Sequence, residues 1–304
     1  MKKLPDELMF LEHRKAVQLT TDARIDGKVV VITGATSGVG LEALKKIVLN
    51  EVHVFVVARN IFKAKELINH LKINNNAKID LIEADFSILS DVRKAAEEIL
   101  NKTSRIDILI NCAGLHSTKR ILTKEGNETV FAVNHLASFL FTYLLLDTIK
   151  ASAPSRILQI NSEGHRFNGL NIDDLDWKNR HYTGLRGYGA SKTAQLLTTW
   201  EFHDQLIGSG VTINAMHPGD VKTNIGQNNG LIYRLFSKLV IQRFLKDPKV
   251  SGESIYYLIA EPSLEKVSGQ YFHLTQKSVP AKHALDRTLG KKIYLKTLEL
   301  CEID

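Results

Sequence analysis

Cysteine is nearly missing from this 304-residue chain. Only Cys112 and Cys301 occur, far apart and in no metal-ligand spacing. A disulfide framework is excluded, no metal site is expected, and a reducing compartment is the natural setting. Long apolar runs are missing too. No stretch of about 18 uncharged apolar residues occurs, which argues against a membrane-spanning helix. The opening MKKLPDELMF is interrupted by Asp6 and Glu7, with Glu12 soon after, so it does not read as a secretory signal. A cytoplasmic protein is expected. Acidic charge is in deficit, 33 Asp and Glu against 40 Lys and Arg, for a formal charge of +7. The basic residues are dispersed, with no aromatic-interleaved cluster. The excess reads as a solvated surface, and no nucleic-acid partner is expected.

What is present suits one globular body. The chain is 44% hydrophobic and 24% charged, enough for a core of normal size. Short β-branched runs alternate with helix-compatible stretches. KVVVITG, beginning at Lys28, reads as a buried strand ending in glycine. Further strands are expected at 52–59, 78–85, 105–114, 155–161, 211–219 and 270–274. Helices are expected at 39–50, 60–73, 90–103, 124–151, 188–208 and 250–261. This alternation predicts an α/β fold, a doubly wound parallel sheet of about seven strands with helices on both faces. No composition break divides residues 27–304, so they form one domain. Residues 1–26 are a polar N-terminal arm with a weak helical pattern around Leu8, Leu11 and Val17. Segments 163–187 and 222–248 are embellishments.

The first strand runs into Thr33-Gly34-Ala35-Thr36-Ser37-Gly38-Val39-Gly40. Gly34 permits a tight turn, Gly38 lets backbone approach a pyrophosphate, and Gly40 lets the next helix lie close to the strand. The new helix end offers free N–H groups to phosphate. A glycine triplet alone is a weak sign, but here a strand precedes it and a helix follows. Gly34, Thr36, Ser37, Gly38, Val39 and Gly40 are therefore candidate dinucleotide-binding residues, in a Rossmann-type arrangement. The second strand ends in Val57-Ala58-Arg59, with no carboxylate for a ribose 2′-hydroxyl. An arginine there can bind a 2′-phosphate in a fork. Arg59 thus favours NADP(H), helped by Ser37 or Lys63, with NAD(H) as the alternative. Asp85, followed by Phe86, is placed to meet the adenine.

Tyr188-Gly189-Ala190-Ser191-Lys192 puts a tyrosine and a lysine on one helix face. The cation can lower the tyrosine pKa from about 10 and make it a usable general acid/base. Ser162 follows the fifth strand, where a hydroxyl can hold a substrate oxygen or merely cap a turn. Asn134 sits in apolar FAVNHLASFLF and needs a partner, as a core asparagine would.

These motifs together resemble the short-chain dehydrogenase/reductase family from about Lys28 to the C-terminus. TGATSGVG looks like its cofactor loop. NCAG looks like its Asn-Asn-Ala-Gly signature, with Asn111, Ala113 and Gly114 in place and Cys112 for the second asparagine. Asn134, Ser162, Tyr188 and Lys192 match its tetrad in order. HPG, with Pro218, Gly219, Val221 and Thr223, looks like the segment closing beside the nicotinamide. VVAR, NSEGH (161–165), PKVSGESIYYL and SGQYF are similar to the retinol dehydrogenase-like branch, which includes the WW-domain oxidoreductase. The usual double serine reads Asn161-Ser162 here, and the serine role falls to Ser162. The resemblance implies hydride transfer between NADP(H) and a carbonyl or alcohol on a lipophilic small molecule. In it, Tyr188 moves the proton, Ser162 holds the oxygen, Lys192 tunes Tyr188 and binds the nicotinamide ribose, and Asn134 supports a proton-relay water. It also implies a dimer or tetramer paired through the long helices.

LIYRLFSKLVIQRFLK (231–246) has an amphipathic pattern. It is expected to be an apolar lid, with ordinary packing or peripheral membrane contact as the competing readings. His165 and His181, between Ser162 and Tyr188, suit packing or surface roles better than catalysis. The rival functional class is a non-catalytic NADP(H)-binding regulatory or scaffold protein, but an intact tetrad speaks against it. A sugar-nucleotide epimerase would want more than the roughly 80 residues that follow Lys222.

Overall fold

The computed structural model describes residues 16–74, 76–220 and 247–303. Among them an eight-stranded sheet runs in the order β3-β2-β1-β4-β5-β6-β7-β8. The strands are β1 (Val29–Thr33), β2 (His53–Ala58), β3 (Lys78–Glu83), β4 (Ile108–Asn111), β5 (Ser155–Ile160), β6 (Val211–His217), β7 (Tyr271–His273) and β8 (Gln276–Ser278). The first seven are parallel, and β8 turns back antiparallel on β7. The doubly wound α/β fold is thus as expected, with one more strand than the sequence showed.

Helices cover both faces because the strands are apolar on both. Val30, Ile32, Ile108 and Ile110 point to one side, where α1 (Gly38–Ile47) and α6 (Lys249–Ala260) pack. Val31 and Leu109 point to the other, under α3 (Leu89–Lys102), α4 (Thr129–Ala151) and α5 (Gly184–Gln205). Each large aliphatic side chain so buried contributes roughly 1.5–3 kcal/mol. The short α2 (Ile61–Asn69) follows β2, with Asn60 capping its first turn by accepting from Lys63 N at 2.9 Å.

Several boundaries shift for physical reasons. The helix expected from 124 begins at Thr129. Gly126, at φ +88°, closes a turn in which Thr123 N bonds Asn127 O at 2.8 Å. Glu128 then caps the helix by accepting from Val130 N and Phe131 N. α4 is long and apolar enough to cross a membrane by composition, but 83% of that window is buried inside the fold, as in a core helix. α5 starts four residues before Tyr188, capped by Thr183.

An unexpected C-terminal helix, α7 (Arg287–Leu300), lies over α5 and α4. Tyr294 packs on Phe139 and Phe202, and Thr297 meets His135 at 2.8 Å. α5 is consequently buried almost all round from Gly187 to Trp200. Residues 16–26 are no loose arm. Leu19 N donates to Thr275 Oγ1 at 2.9 Å, Tyr256 donates to Ala23 O at 2.9 Å, and Ile25 is buried. The helical pattern around Leu8 and Leu11, and the lid segment 231–246, lie outside the described residues.

Candidate active site

The strand order reverses between β1 and β4, and such a switch point opens a crevice at the carboxyl ends of the strands. The predicted residues converge on that end. Gly34 follows β1 at φ +68°, and a Cβ there would stand 2.7 Å from Ala113 Cα. A Cβ on Gly40 would stand 2.5 Å from Gly34 O. The two glycines are therefore required for β1, α1 and the loop after β4 to meet. Gly38 is also left-handed, at φ +54°. Ser37 stands at the N-cap of α1 without a side-chain cap bond, and no acidic residue occupies the first turn. Val39 is buried, while Thr36 and Ser37 are partly exposed.

Thr33, which the sequence reading passed over, ties the two loops together. Its Oγ1 accepts from Cys112 N at 3.0 Å and Ala113 N at 2.9 Å. The Asn111 side chain turns inward, donating to Thr142 Oγ1 on α4 at 2.7 Å, so it joins strand to helix rather than facing the crevice. Arg59 is exposed at the end of β2 and makes no ion pair among the described residues. Asp85 Oδ1 is engaged by Ser87 N at 2.9 Å and Ser87 Oγ at 2.8 Å. Phe86 is buried against Phe141, which leaves only its backbone for a cofactor. Pro218 O accepts from Ser251 Oγ, and Gly219 turns at φ +85° against Leu274. Val221 and Thr223 lie outside the described residues.

Ser162 caps the turn that follows β5, accepting from Gly164 N at 3.0 Å, and its hydroxyl acts to lower the pKa of the nearby Tyr188 phenol. The Tyr188 ring lies directly on Gly164, where a Cβ would come within 2.8 Å of Cε1. Gly164 was another omission; the signal was a glycine two residues after the key serine. His116 packs edge-on to Tyr188, with ring centroids 5.7 Å apart.

Burial pushes the Tyr188 phenol above its ordinary value, and the bond from Ser162 only partly opposes this. The Lys192 ammonium lies 5.9 Å from the ring centroid and donates to Ile160 O at 2.8 Å and Gln195 Oε1 at 3.2 Å. Burial brings Lys192 down to about 8, with the Cys112 thiol opposing. Cys112 itself is pushed up to about 12 by burial, so it is a poor nucleophile.

Asn134 sits in a π-helical turn (Ala132–Ala137) inside α4, a distortion frequent at functional sites. Its amide makes three bonds: Oδ1 accepts from Leu115 N at 2.8 Å, and Nδ2 donates to Leu115 O and Ser191 Oγ at 3.0 Å each. It holds the loop after β4 against α5.

A buried charged cluster backs the site. Glu163 pairs with Arg166, accepts from Tyr271 OH at 3.0 Å and lies 3.6 Å from His273. Burial pushes its carboxyl up, but His273, His217 and Arg166 together hold it well below the usual carboxylate range. His165 packs edge-on against Tyr271, whereas His181 is exposed. Burial lowers His165 and His217 to about 4 and His135 to about 3. These imidazoles fold neutral, while the unfolded chain takes up their protons near about pH 6.5. Their stabilisation is therefore full above about pH 6.5 and is lost as pH falls toward 4; the depressed Glu163 deepens the loss below about pH 4.5. The melting temperature should fall steadily between pH 7 and pH 4. A flat profile by circular dichroism would contradict the buried neutral imidazoles.

Residues 28–231 match the family model described as short chain dehydrogenase. The chain is 33% identical to human retinol dehydrogenase 13 over 93% of its own length and 87% of that protein. It is 31% identical to human WW domain-containing oxidoreductase over 92% of its length and 69% of that protein. In fold it is similar to a protein of Mycobacterium paratuberculosis, with a TM-score of 0.77, 24% identity, and coverage of 95% and 99%. It is also similar to the NADP active-site complex of Pseudomonas aeruginosa RhlG, with a TM-score of 0.62, 19% identity, and coverage of 82% and 95%.

Proposed function

This chain belongs to the short-chain dehydrogenase family, in its retinol dehydrogenase-like branch, and acts on alcohol and carbonyl groups; on that premise we propose that it uses NADP(H), with Tyr188 as general acid/base, on a lipophilic substrate. One observation carries the reading. The Tyr188 ring rests on Gly164 in the turn that Ser162 caps beyond β5, with Lys192 on the same helix face donating to Ile160 O at the strand end.

The residues present fit a dinucleotide. The close approaches at Gly34 and Gly40 leave backbone rather than side chains at the α1 end, and no carboxylate there repels phosphate. Gly34, Thr36, Ser37, Gly38 and Gly40 would hold the pyrophosphate. Arg59 would hold a 2′-phosphate, Asp85 the adenine end, and Pro218 and Gly219 the nicotinamide end, continued by Val221 and Thr223. Bound there, the cofactor supplies or accepts the hydride.

The protein's own groups manage the oxygen. A phenol held above its ordinary value is protonated at neutral pH, so Tyr188 is ready to donate to a carbonyl oxygen in reduction. Ser162 fixes that oxygen by hydrogen bond. The Lys192 cation favours the tyrosinate left behind. Retinol, the alcohol named for the relatives, is lipophilic, which supports an apolar substrate.

Titration with NADPH and NADH, followed by cofactor fluorescence, tests the cofactor assignment. Wild type should favour NADPH, and Arg59→Ala should lose roughly tenfold or more of that preference, the worth of one charged hydrogen-bonded contact. Equal binding of both would remove Arg59 from the site. Binding without turnover on any carbonyl would favour a non-catalytic NADP(H)-binding protein.

A further inference from the structure

Two buried amides beside the tetrad have no task in this chemistry, Gln195 and Asn161. They are 3% and 2% exposed. Gln195 lies one turn beyond Lys192 on α5, and Asn161 stands where the family resemblance has a serine. Gln195 Oε1 accepts from Lys192 Nζ at 3.2 Å and from Asn161 Nδ2 at 2.9 Å. Asn161 also donates to Lys192 O at 2.9 Å, and its Oδ1 accepts from Ser162 N at 2.8 Å. Gln195 Nε2 reaches back to Gln159 Oε1 at 3.4 Å, which fixes which way the amide faces.

We propose that Gln195, held by Asn161, is a positioning residue that sets the place and the proton affinity of Lys192, resting on the reading of Lys192 as Tyr188's partner. An amide oxygen has two lone pairs, and here both are used. An ammonium has three donors; Ile160 O and Gln195 Oε1 take two of them and leave one for the site. The same Asn161 side chain grips the backbone of Ser162 and that of Lys192. One amide thereby locks the strand end carrying the oxygen-holding hydroxyl to the helix carrying the acid/base pair. A serine at 161 is too short to span those three partners, which gives the departure from the double serine a physical purpose.

The buried ammonium depends on its acceptors to remain charged. The ionisable groups facing it are the Cys112 thiol from the loop after β4 and the Tyr188 phenol from its own helix. Neither is anionic at neutral pH, so the backbone carbonyl and Gln195 carry the burden. Gln195→Leu removes one acceptor and favours the neutral amine. Gln195→Glu adds an anion and favours the cation.

The test follows the Cε resonance of Lys192 against pH in protein labelled with [13C]lysine, assigned with Lys192→Arg. The Lys192 midpoint should fall by roughly one unit in Gln195→Leu and rise by roughly one unit in Gln195→Glu, with a smaller fall in Asn161→Ser. The pH profile of turnover should move in the same direction. Unchanged Lys192 midpoints in the folded variants would overturn the proposal. Three variants are used because a buried leucine at 195 can itself disturb folding, which the melting temperature reports. The resonance needs no turnover. Absence of activity in wild type would therefore defeat the functional reading alone, and the midpoints would still decide the role of Gln195.

Discussion

Tyr188→Phe should lower turnover by roughly a thousand-fold while leaving NADPH affinity within about twofold of wild type. Removing a positioned general acid/base typically costs between about a hundred- and ten-thousand-fold. The variant keeps the ring that rests on Gly164 and packs against His116, so the loop after β5 has no cause to move. It also strands no partner, because Ser162 Oγ still accepts from Gly164 N. The melting temperature should stay close to that of wild type. Stopped-flow measurement of nicotinamide absorbance, with NADPH binding followed in parallel, separates the two effects. Loss of binding and turnover together would mean that the hydroxyl organises the crevice instead of moving a proton.

The largest effect on stability is expected at Glu163. Glu163→Ala leaves the Arg166 guanidinium, only 4% exposed, without its carboxylate, and leaves the buried Tyr271 hydroxyl without its acceptor. Breaking a buried ion pair from one side costs about 3–5 kcal/mol, since the remaining charge stays in low dielectric. In a domain of this size that lowers the melting temperature by roughly 10 °C. Arg166 also donates to Val279 O at 2.7 Å beyond β8, so the loss should loosen the β7–β8 hairpin. A change below about 1 kcal/mol would mean that the guanidinium readily reaches water.

The parts of the fold legible in the sequence are those written in local pattern. β1, its turn and α1 could be placed because Gly34 and Gly40 fall where backbone must approach backbone and Gly38 where the chain turns left-handed. The tetrad could be placed because Tyr188 and Lys192 share a helix turn and Ser162 ends a strand. α7 escaped because Gly290 argues locally against a helix. In the structure that glycine faces α5, where a Cβ would lie 2.9 Å from Glu201 Oε1 at the tip of its side chain. β8 is three polar residues defined only by its pairing with β7. Glu163 reads as an ordinary surface acid, because the groups that bury it, His217, Tyr271 and His273, lie more than fifty positions away. The other partners of Lys192 were hidden for the same reason. Helical spacing brings it to the tyrosine, but the strand-end carbonyl of Ile160 and the Gln195 amide compete for its protons.

Transfer of label would test the central claim most directly. NADPH carrying deuterium at both hydrogen positions of the reactive nicotinamide carbon would be incubated with an apolar polyene aldehyde and the wild-type protein, and the alcohol formed analysed by mass spectrometry. One deuterium on the former carbonyl carbon, absent with Tyr188→Phe over the same interval, is the predicted result. Unlabelled alcohol, or no alcohol from any aldehyde or ketone despite tight NADPH binding, would contradict hydride transfer at this site.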